Sequence, residues 1–114
     1  MADLKTKFAM EDLRAVAFGS ITAAYSSMGD SFENPAIQIT IMNLTDTTLT
    51  FSTDGIKDKI KLPPNAYWLP DITSNQQGLR GGRFPAGTLI YVKAAVGYPN
   101  PTTGSADLVV CYFK

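Results

Sequence analysis

The chain has 114 residues, which is enough for one domain and too short for two ordinary ones. Ten basic and ten acidic residues cancel, so the basic excess typical of nucleic-acid-binding proteins is missing. There is no histidine and one cysteine, Cys111, which excludes histidine-dependent nucleophilic catalysis, an internal disulfide and a cysteine-based zinc site.

The low content of charged residues predicts a largely uncharged surface. They make up 18% of the chain, below the ~25% of an average domain, so much of the surface must be uncharged. Such a surface on a small protein favours coverage by a partner. Residues 1–16 lack the apolar core of a signal peptide, and no run of about 18 apolar residues exists, so we expect no membrane partner.

Residues 2–12 predict a short helix or an arm. Leu4 and Phe8 are four residues apart and would share one helical face. A helix of this length is marginal in water unless it docks. We therefore assign residues 1–12 as an N-terminal arm, lying on its own domain or on a neighbour, and residues 13–114 as a single domain.

Short strands separated by turns follow the arm. Residues 14–22 (RAVAFGSIT) are compatible with a strand, and residues 25–35 predict a polar loop. Residues 36–42 (AIQITIM) and 48–52 (TLTFS) alternate apolar and polar side chains. Because the residues between them favour a turn, they predict a hairpin over residues 36–53.

The middle of the chain continues this pattern. After a turn at residues 53–55, Lys57, Lys59 and Lys61 alternate along a predicted strand and share one of its faces. We interpret these lysines as protection of an exposed strand against edge-to-edge pairing, with an acidic partner as the alternative. Pro70 then favours an edge strand over residues 66–72.

Two strong strands complete the chain. Residues 88–96 and 106–114 are rich in apolar and β-branched side chains, and a loop containing proline and glycine separates them. The last strand is apolar on both faces, which indicates burial on both sides, within the fold or against another subunit. The whole pattern predicts a mainly β protein, an antiparallel β-sandwich or small jelly-roll-like barrel of seven to eight strands.

Few residues suggest chemistry. Asp54, Asp58 and Asp71 are the candidate carboxylates for glycoside hydrolysis, but they lie near turns or strand ends. Asp54 and Asp58 suggest calcium binding but lack calcium-loop spacing, so we interpret these carboxylates as turn formers. Arg80 and Arg83 flank two glycines in a segment that we interpret as a flexible loop. Contact with an acidic neighbour is the alternative, and it fits the segment better than a phosphate site. We expect no catalytic residue, metal or cofactor.

A resemblance sharpens this interpretation. Residues 14–21 (RAVAFGSI), 43–46 (NLTD), 52–55 (STDG) and 71–75 (DITSN) resemble, in order and spacing, motifs of short virion structural proteins of tailed bacteriophages. The segments FPAGTLIYVKAA and PTTGSADLVVCYFK resemble the C-terminal half of the same proteins. The resemblance covers about residues 13–114.

The resemblance implies a non-enzymatic particle component, located in a virion that is assembled in the host cytoplasm. We expect a capsid decoration or cement protein that binds the major capsid protein, as a homo-oligomer such as a trimer. A neck, tail-adaptor or tail-tube component is the first alternative. A carbohydrate-binding adsorption module that uses Trp68 and nearby tyrosines is the second.

Contact with the partner is expected from four parts of the chain, namely the arm, the loops at 76–87 and 97–104, and the final strand, which can pair with or pack on a neighbour. The candidate contact residues are Leu4, Phe8, Arg80, Arg83, Tyr98 and Phe113.

Overall fold

The structure, a computed structural model, describes residues 7–69 and 84–113. Within these ranges the chain is mainly β, as expected, and contains no α-helix. The strands are β1 (Phe8–Met10), β2 (Arg14–Ala17), β3 (Ser26–Ser27), β4 (Gln38–Asn43), β5 (Leu49–Ser52), β6 (Ile60–Leu62), β7 (Tyr67–Trp68), β8 (Tyr91–Ala94) and β9 (Ser105–Phe113). A single turn of 3-10 helix at Phe18–Ser20 follows β2.

The strands form two antiparallel sheets. Sheet A has the order β1-β9-β4-β7, with β2 also pairing with β9, and sheet B has the order β3-β8-β5-β6. One hydrophobic cluster contains buried side chains from both sheets, including Ile39, Ile41 and Leu108 of sheet A and Phe51 and Val92 of sheet B. Alternation therefore buries one face of each sheet in a shared core.

The hairpin expected over residues 36–53 is wrong, although both of its strands exist. β4 pairs with β7 and β9, whereas β5 pairs with β6 and β8 in the other sheet. The chain leaves sheet A after β4. At that point the amide N–H of Leu44 donates to the carbonyl of Ser105 at 2.8 Å. Apolar alternation predicts which face of a strand is buried but not which strand lies beside it.

The helix expected within residues 2–12 is wrong where the chain is described. Phe8–Met10 is strand β1, and it pairs with the end of β9 from Phe113 to Cys111. Pairing with an existing strand satisfies the backbone, whereas a short isolated helix is unfavourable in water. Residues 1–6, including Leu4, lie outside the described residues.

A β-bulge separates β1 from β2 along the same edge of β9. Met10 lies opposite Cys111 and Arg14 lies opposite Leu108, so residues 11–13 face only two residues of β9. The extra residue changes which way the side chains alternate. Met10 therefore shares the outer face of sheet A with Cys111, while Arg14 shares the inner face with Leu108.

The last strand is buried fully on only one face within a single chain. Ala106, Leu108 and Val110 belong to the core, whereas Val109 is half-buried and Phe113 is 39% exposed on the other face. Cys111, on that second face, is buried, and burial raises the pKa of its thiol.

Four loops meet at one end of the two sheets, and we call this the neutral end: residues 18–25, 44–48, 63–66 and 95–104. The strand registers place them together. In sheet A, the last residues of β2 and β4 both lie beside the start of β9. In sheet B, the first residue of β5 lies beside the last residues of β6 and β8. Hydrogen bonds between loops, such as that from the Ala95 amide to the Thr48 carbonyl at 3.0 Å, join the sheets there.

Asn43 connects the 44–48 loop to β6 from a fully buried position. Its side-chain amide donates to the carbonyls of Thr47 at 2.8 Å and Leu62 at 2.9 Å. Its side-chain oxygen accepts the hydroxyl and amide hydrogens of Thr45 at 2.6 and 3.0 Å. Because a buried amide is costly unless it is hydrogen-bonded, this residue fixes the path of the 44–48 loop relative to β6.

Gly104 allows the 44–48 and 95–104 loops to cross in contact. Its φ is +86°, and a Cβ built there would lie 1.9 Å from the carbonyl oxygen of Leu44. Gly97 has a similar φ of +88°, but a Cβ there would meet no atom within 4 Å. The two glycines therefore share the conformational requirement, and only Gly104 also has a steric one.

We expect Gly104→Ala to destabilise the fold by about 3 kcal/mol more than Gly97→Ala, since the methyl group must displace the Leu44 backbone. Gly97→Ala should cost only the ~1–2 kcal/mol of a left-handed alanine. Urea unfolding of the two variants measures the difference. Equal losses would show that the loop crossing contributes nothing beyond its backbone conformation.

Candidate partner-binding surface

The neutral end exposes large apolar side chains on loops that are held by hydrogen bonds. Val96 is 78% exposed, Leu44 47%, Tyr98 45% and Phe18 41%. Exposed hydrophobic side chains that lie near one another on a soluble domain mark an interaction surface more often than scattered ones do. Because the loops are already fixed, docking through them would cost little conformational entropy.

This end is also almost without charge. Asp46 is the only charged residue in its four loops. One oxygen of Asp46 accepts the amide N–H of Thr102 at 2.8 Å, and the other accepts the Thr102 hydroxyl. These hydrogen bonds hold the pKa of Asp46 below its ordinary value, and the bond from the hydroxyl has the largest effect. The carboxylate thus stabilises the contact between two loops.

The opposite end of the sheets carries most of the described charge, and we call it the charged end: residues 11–13, 28–37 and 53–59. Its charged residues are Glu11, Asp12, Asp30, Glu33, Asp54, Lys57, Asp58 and Lys59. An open groove of about 460 Å³ beside the bulge is lined by the first four of these, together with Arg14 and Tyr112 among others. The two ends therefore differ in the partners they can accept.

Glu11 and Arg14 anchor the bulge to the 28–37 loop. Their side chains are only 4% and 9% exposed and form an ion pair of 2.8 Å. The second oxygen of Glu11 accepts the amide N–H groups of Glu33 and Asn34 at 3.1 and 2.8 Å, and Arg14 donates to carbonyls of Asp30 and Ser31. The arm is thus joined to the domain at its last residues.

The pKa of Glu11 reflects two opposing effects. Burial alone would raise it, but the hydrogen bonds from Arg14, Asn34 and Glu33 together outweigh burial and hold the pKa below its ordinary value. The group is therefore ionised at neutral pH and serves the structure, since its acceptor sites are occupied.

A second polar cluster lies on the outer face of sheet B. The Tyr25 hydroxyl donates to Asp58 at 2.5 Å, and Lys93 lies 3.6 Å from the same carboxylate and 4.8 Å from the centre of the Tyr25 ring. Burial and then the hydrogen bond to Asp58 raise the pKa of Tyr25 to about 12. The tyrosine therefore stays protonated and neutral at ordinary pH.

Asp54 is a turn former, as expected. It accepts the amide N–H groups of Ile56 and Lys57 at 2.9 and 3.0 Å and the Ser52 hydroxyl at 2.7 Å. The amide of Lys57 is the largest of the effects that hold the pKa of Asp54 well below its ordinary value. The Ser-x-Asp-Gly motif at residues 52–55 is therefore scaffold.

The lysine stripe is only partly as expected. Lys57, Lys59 and Lys61 are all exposed, but β6 spans only Ile60–Leu62, so the first two lie in the preceding loop. Ile56, which begins the same segment, is 78% exposed. The strand is shorter than its alternation suggested because the hydrogen bonds to Asp54 hold residues 54–57 in a turn.

Trp68 does not lie where a sugar-binding platform would need it. It lies opposite Ile41 on the inner face of sheet A and packs against the core. With Phe84 and Ile60 it lines an apolar pocket of about 280 Å³ between the sheets. Stacking on a sugar requires an accessible aromatic face, so this residue does not support the carbohydrate-binding alternative.

Of the expected contact residues that the structure describes, Phe8 and Phe113 lie together, and Tyr98 lies apart from them. Tyr98 lies at the neutral end and is 45% exposed, and Phe113 lies at the far end of β9. Phe8 pairs with Phe113 through β1, and its side chain is not described. Leu4, Arg80 and Arg83 lie outside the described residues.

Phe18, Leu44 and Val96 were not predicted from the sequence to be exposed residues of one surface. Each lies in or beside a strand-like segment, where an apolar residue is ordinarily assigned to the core. The available signal was the near absence of charge in the four loops, which belong to separate parts of the sequence and gather only in the fold.

The described residues were compared with the requirements of a metal site and of a membrane-spanning helix. Residues 7–69 and 84–113 contain no group of three or more acidic or cysteine side chains placed to hold a metal ion. No helix within those ranges is long and apolar enough to cross a membrane.

Comparison with known proteins found no matching family model, no similar curated protein and no similar solved structure.

The Glu11 carboxylate should contribute substantially to stability. We expect Glu11→Ala to lower the free energy of unfolding by ~3 kcal/mol at neutral pH, because Arg14 is left buried and unpaired. Since folding lowers the pKa of Glu11, its stabilisation is present above the ordinary carboxyl pKa and is lost as the pH falls through the folded value. The difference between the variant and the parent protein should therefore shrink in acid.

Asp12→Ala is the matched control. Its carboxylate is exposed and makes no ion pair within the described residues, so the change should stay within ~0.5 kcal/mol. Chemical denaturation at several pH values measures both variants. A loss for Glu11→Ala that does not vary with pH would contradict the assigned role of the charge.

Proposed function

We propose that this chain is a capsid decoration or cement protein of a tailed bacteriophage, which stabilises contacts between major capsid protein subunits. The observation that carries the proposal is the neutral end, a surface of exposed apolar side chains on loops held by hydrogen bonds. A virion component must dock at many equivalent sites, and a fixed surface binds with a small entropic cost.

We propose a jelly-roll β-sandwich as the finer architecture. Sheet A contains the order β2-β9-β4-β7 and sheet B the order β3-β8-β5-β6. Eight strands in these two orders are those of a jelly roll, with β1 as an addition to one edge. The jelly roll occurs in viral capsid and lectin domains, so this is support by fold analogy only, since a fold does not define a function.

The motifs behind the phage resemblance add support because two of them meet in space. The 43–46 motif leads into one loop of the neutral end, and the 101–105 motif begins in another. The two loops are joined by the Asp46–Thr102 hydrogen bonds and by the contact of Gly104 with the Leu44 backbone. The shared residues are therefore those that shape this surface. A family of docking proteins would need them for the same reason.

The number of copies per virion tests the proposal. In purified particles of the phage that encodes this chain, a decoration protein should be present in on the order of hundreds of copies, in proportion to the major capsid protein. Quantitative mass spectrometry against the major capsid protein measures this ratio, and cryo-microscopy of the particle locates the chain.

The result also decides between related roles. About a dozen copies or fewer, at a single vertex, would identify the neck or tail component instead. Absence of the chain from the purified particle would refute a virion role altogether. A virion produced without this chain, which should lose capsid stability on heating, is the corresponding functional control.

A further inference from the structure

Within the described residues, the core of the sandwich is open along one side. Sheet A ends there at β7, which has two residues, and sheet B ends at β6, which has three. The apolar pocket of about 280 Å³ lies between these two short edge strands. Its floor is buried, with Ile41, Phe51 and Ile90, and its walls are partly exposed, with Ile60, Trp68 and Phe84. The pocket therefore leads from the solvent into the hydrophobic core.

The lining of this pocket favours an apolar occupant over water. Apolar cavities of about 150 Å³ stay dry and bind molecules such as benzene, because water needs two or more polar partners. The Ser52 hydroxyl is one of the few polar groups here, and it already donates to Asp54 at 2.7 Å. At ~30 Å³ for each water-sized group, the pocket has room for roughly nine such groups, which corresponds to a medium-length alkyl chain.

Lys59 gives the pocket a positive charge at its rim. It is exposed, and it is the only basic residue among the described residues that line the pocket. Lys59 makes no ion pair within the described residues. The nearby Asp54 instead accepts hydrogens from Ser52, Ile56 and Lys57. An anionic group at the rim would therefore meet an ammonium group that is available for pairing.

We infer that this pocket is a binding site for a medium-chain amphiphilic carboxylate. The alkyl chain would lie between the sheets against Trp68, and the carboxylate would pair with Lys59 at the rim. The inference goes beyond the proposed virion role and does not depend on it, because it concerns the purified protein alone.

The fluorescence of Trp68 tests whether the pocket is occupied, because Trp68 is the only tryptophan of the chain and lies on the pocket wall. Titration with decanoate should change the emission saturably, with one equivalent bound per chain. Hexanoate and octanoate should bind more weakly, by up to about fourfold for each methylene removed. The gain in affinity with length should end at about ten carbon atoms, where the pocket is full.

Lys59→Met tests the pairing of the carboxylate, and Lys61→Met is its matched control. Lys61 is also exposed, but it lies between Ile60 and Leu62, which face the core, so its side chain points to the outer face of sheet B. Lys59→Met should raise the dissociation constant of decanoate by about threefold to fivefold and leave that of decanol within about twofold. Lys61→Met should leave both within about twofold.

Salt dependence supplies a second measurement. High sodium chloride should shrink the difference between Lys59→Met and the parent protein for decanoate, since the pair at the rim is exposed to solvent. Thermal unfolding verifies that both variants are folded.

Three results would overturn the inference. They are the absence of a saturable change in Trp68 emission with any of these carboxylates, equal effects of the two lysine variants on decanoate, and an equal effect of Lys59→Met on decanoate and decanol. An affinity that continues to rise well beyond ten carbon atoms would also contradict binding inside this pocket.

Discussion

The arrangement of the neutral end depends on the crossing of two backbone segments, where the carbonyl oxygen of Leu44 occupies the space that a side chain at position 104 would need. The crossing connects the sheets because one segment leads from β4 into β5 and the other leads from β8 into β9. Asn43 reinforces it from the core side by bonding to the 44–48 loop and to β6.

Hydrogen bonding is used differently at the two ends of the domain. At the neutral end most of the bonds run between uncharged groups, and the Asp46 carboxylate is the charged exception. At the charged end a buried carboxylate, Glu11, collects amide hydrogens and a guanidinium, and other carboxylates stay exposed around it. One domain therefore presents two surfaces of opposite chemistry, and a partner that fits one has little reason to fit the other.

Local patterns predicted local structure well. Alternation predicted that Ile39 and Ile41 face the core, and the spacing around Asp54 predicted its turn. The bonds of Asn43 to Thr45 and Thr47 were also foreseeable from turn chemistry, whereas its bond to Leu62 was not, because it joins segments far apart in the sequence.

The features that the sequence did not predict have the same cause as the Asn43–Leu62 bond. Asp46 bonds Thr102, which lies far away in the sequence, and β4 and β5 were expected to pair and instead lie in different sheets. In each case the partner comes from distant sequence, which periodicity does not encode. The neutral end could not be predicted for the same reason, since it assembles four loops that are separate along the chain.

Because of the bulge between Met10 and Arg14, the directions of the side chains on this edge depend on whether an insertion or deletion there has an odd or an even number of residues. Deleting one residue there would restore straight pairing with β9, and then either Met10 would turn into the core or the guanidinium of Arg14 would turn into water. Inserting two residues would preserve both orientations. Homologous chains that keep this edge should therefore differ in length here by even numbers.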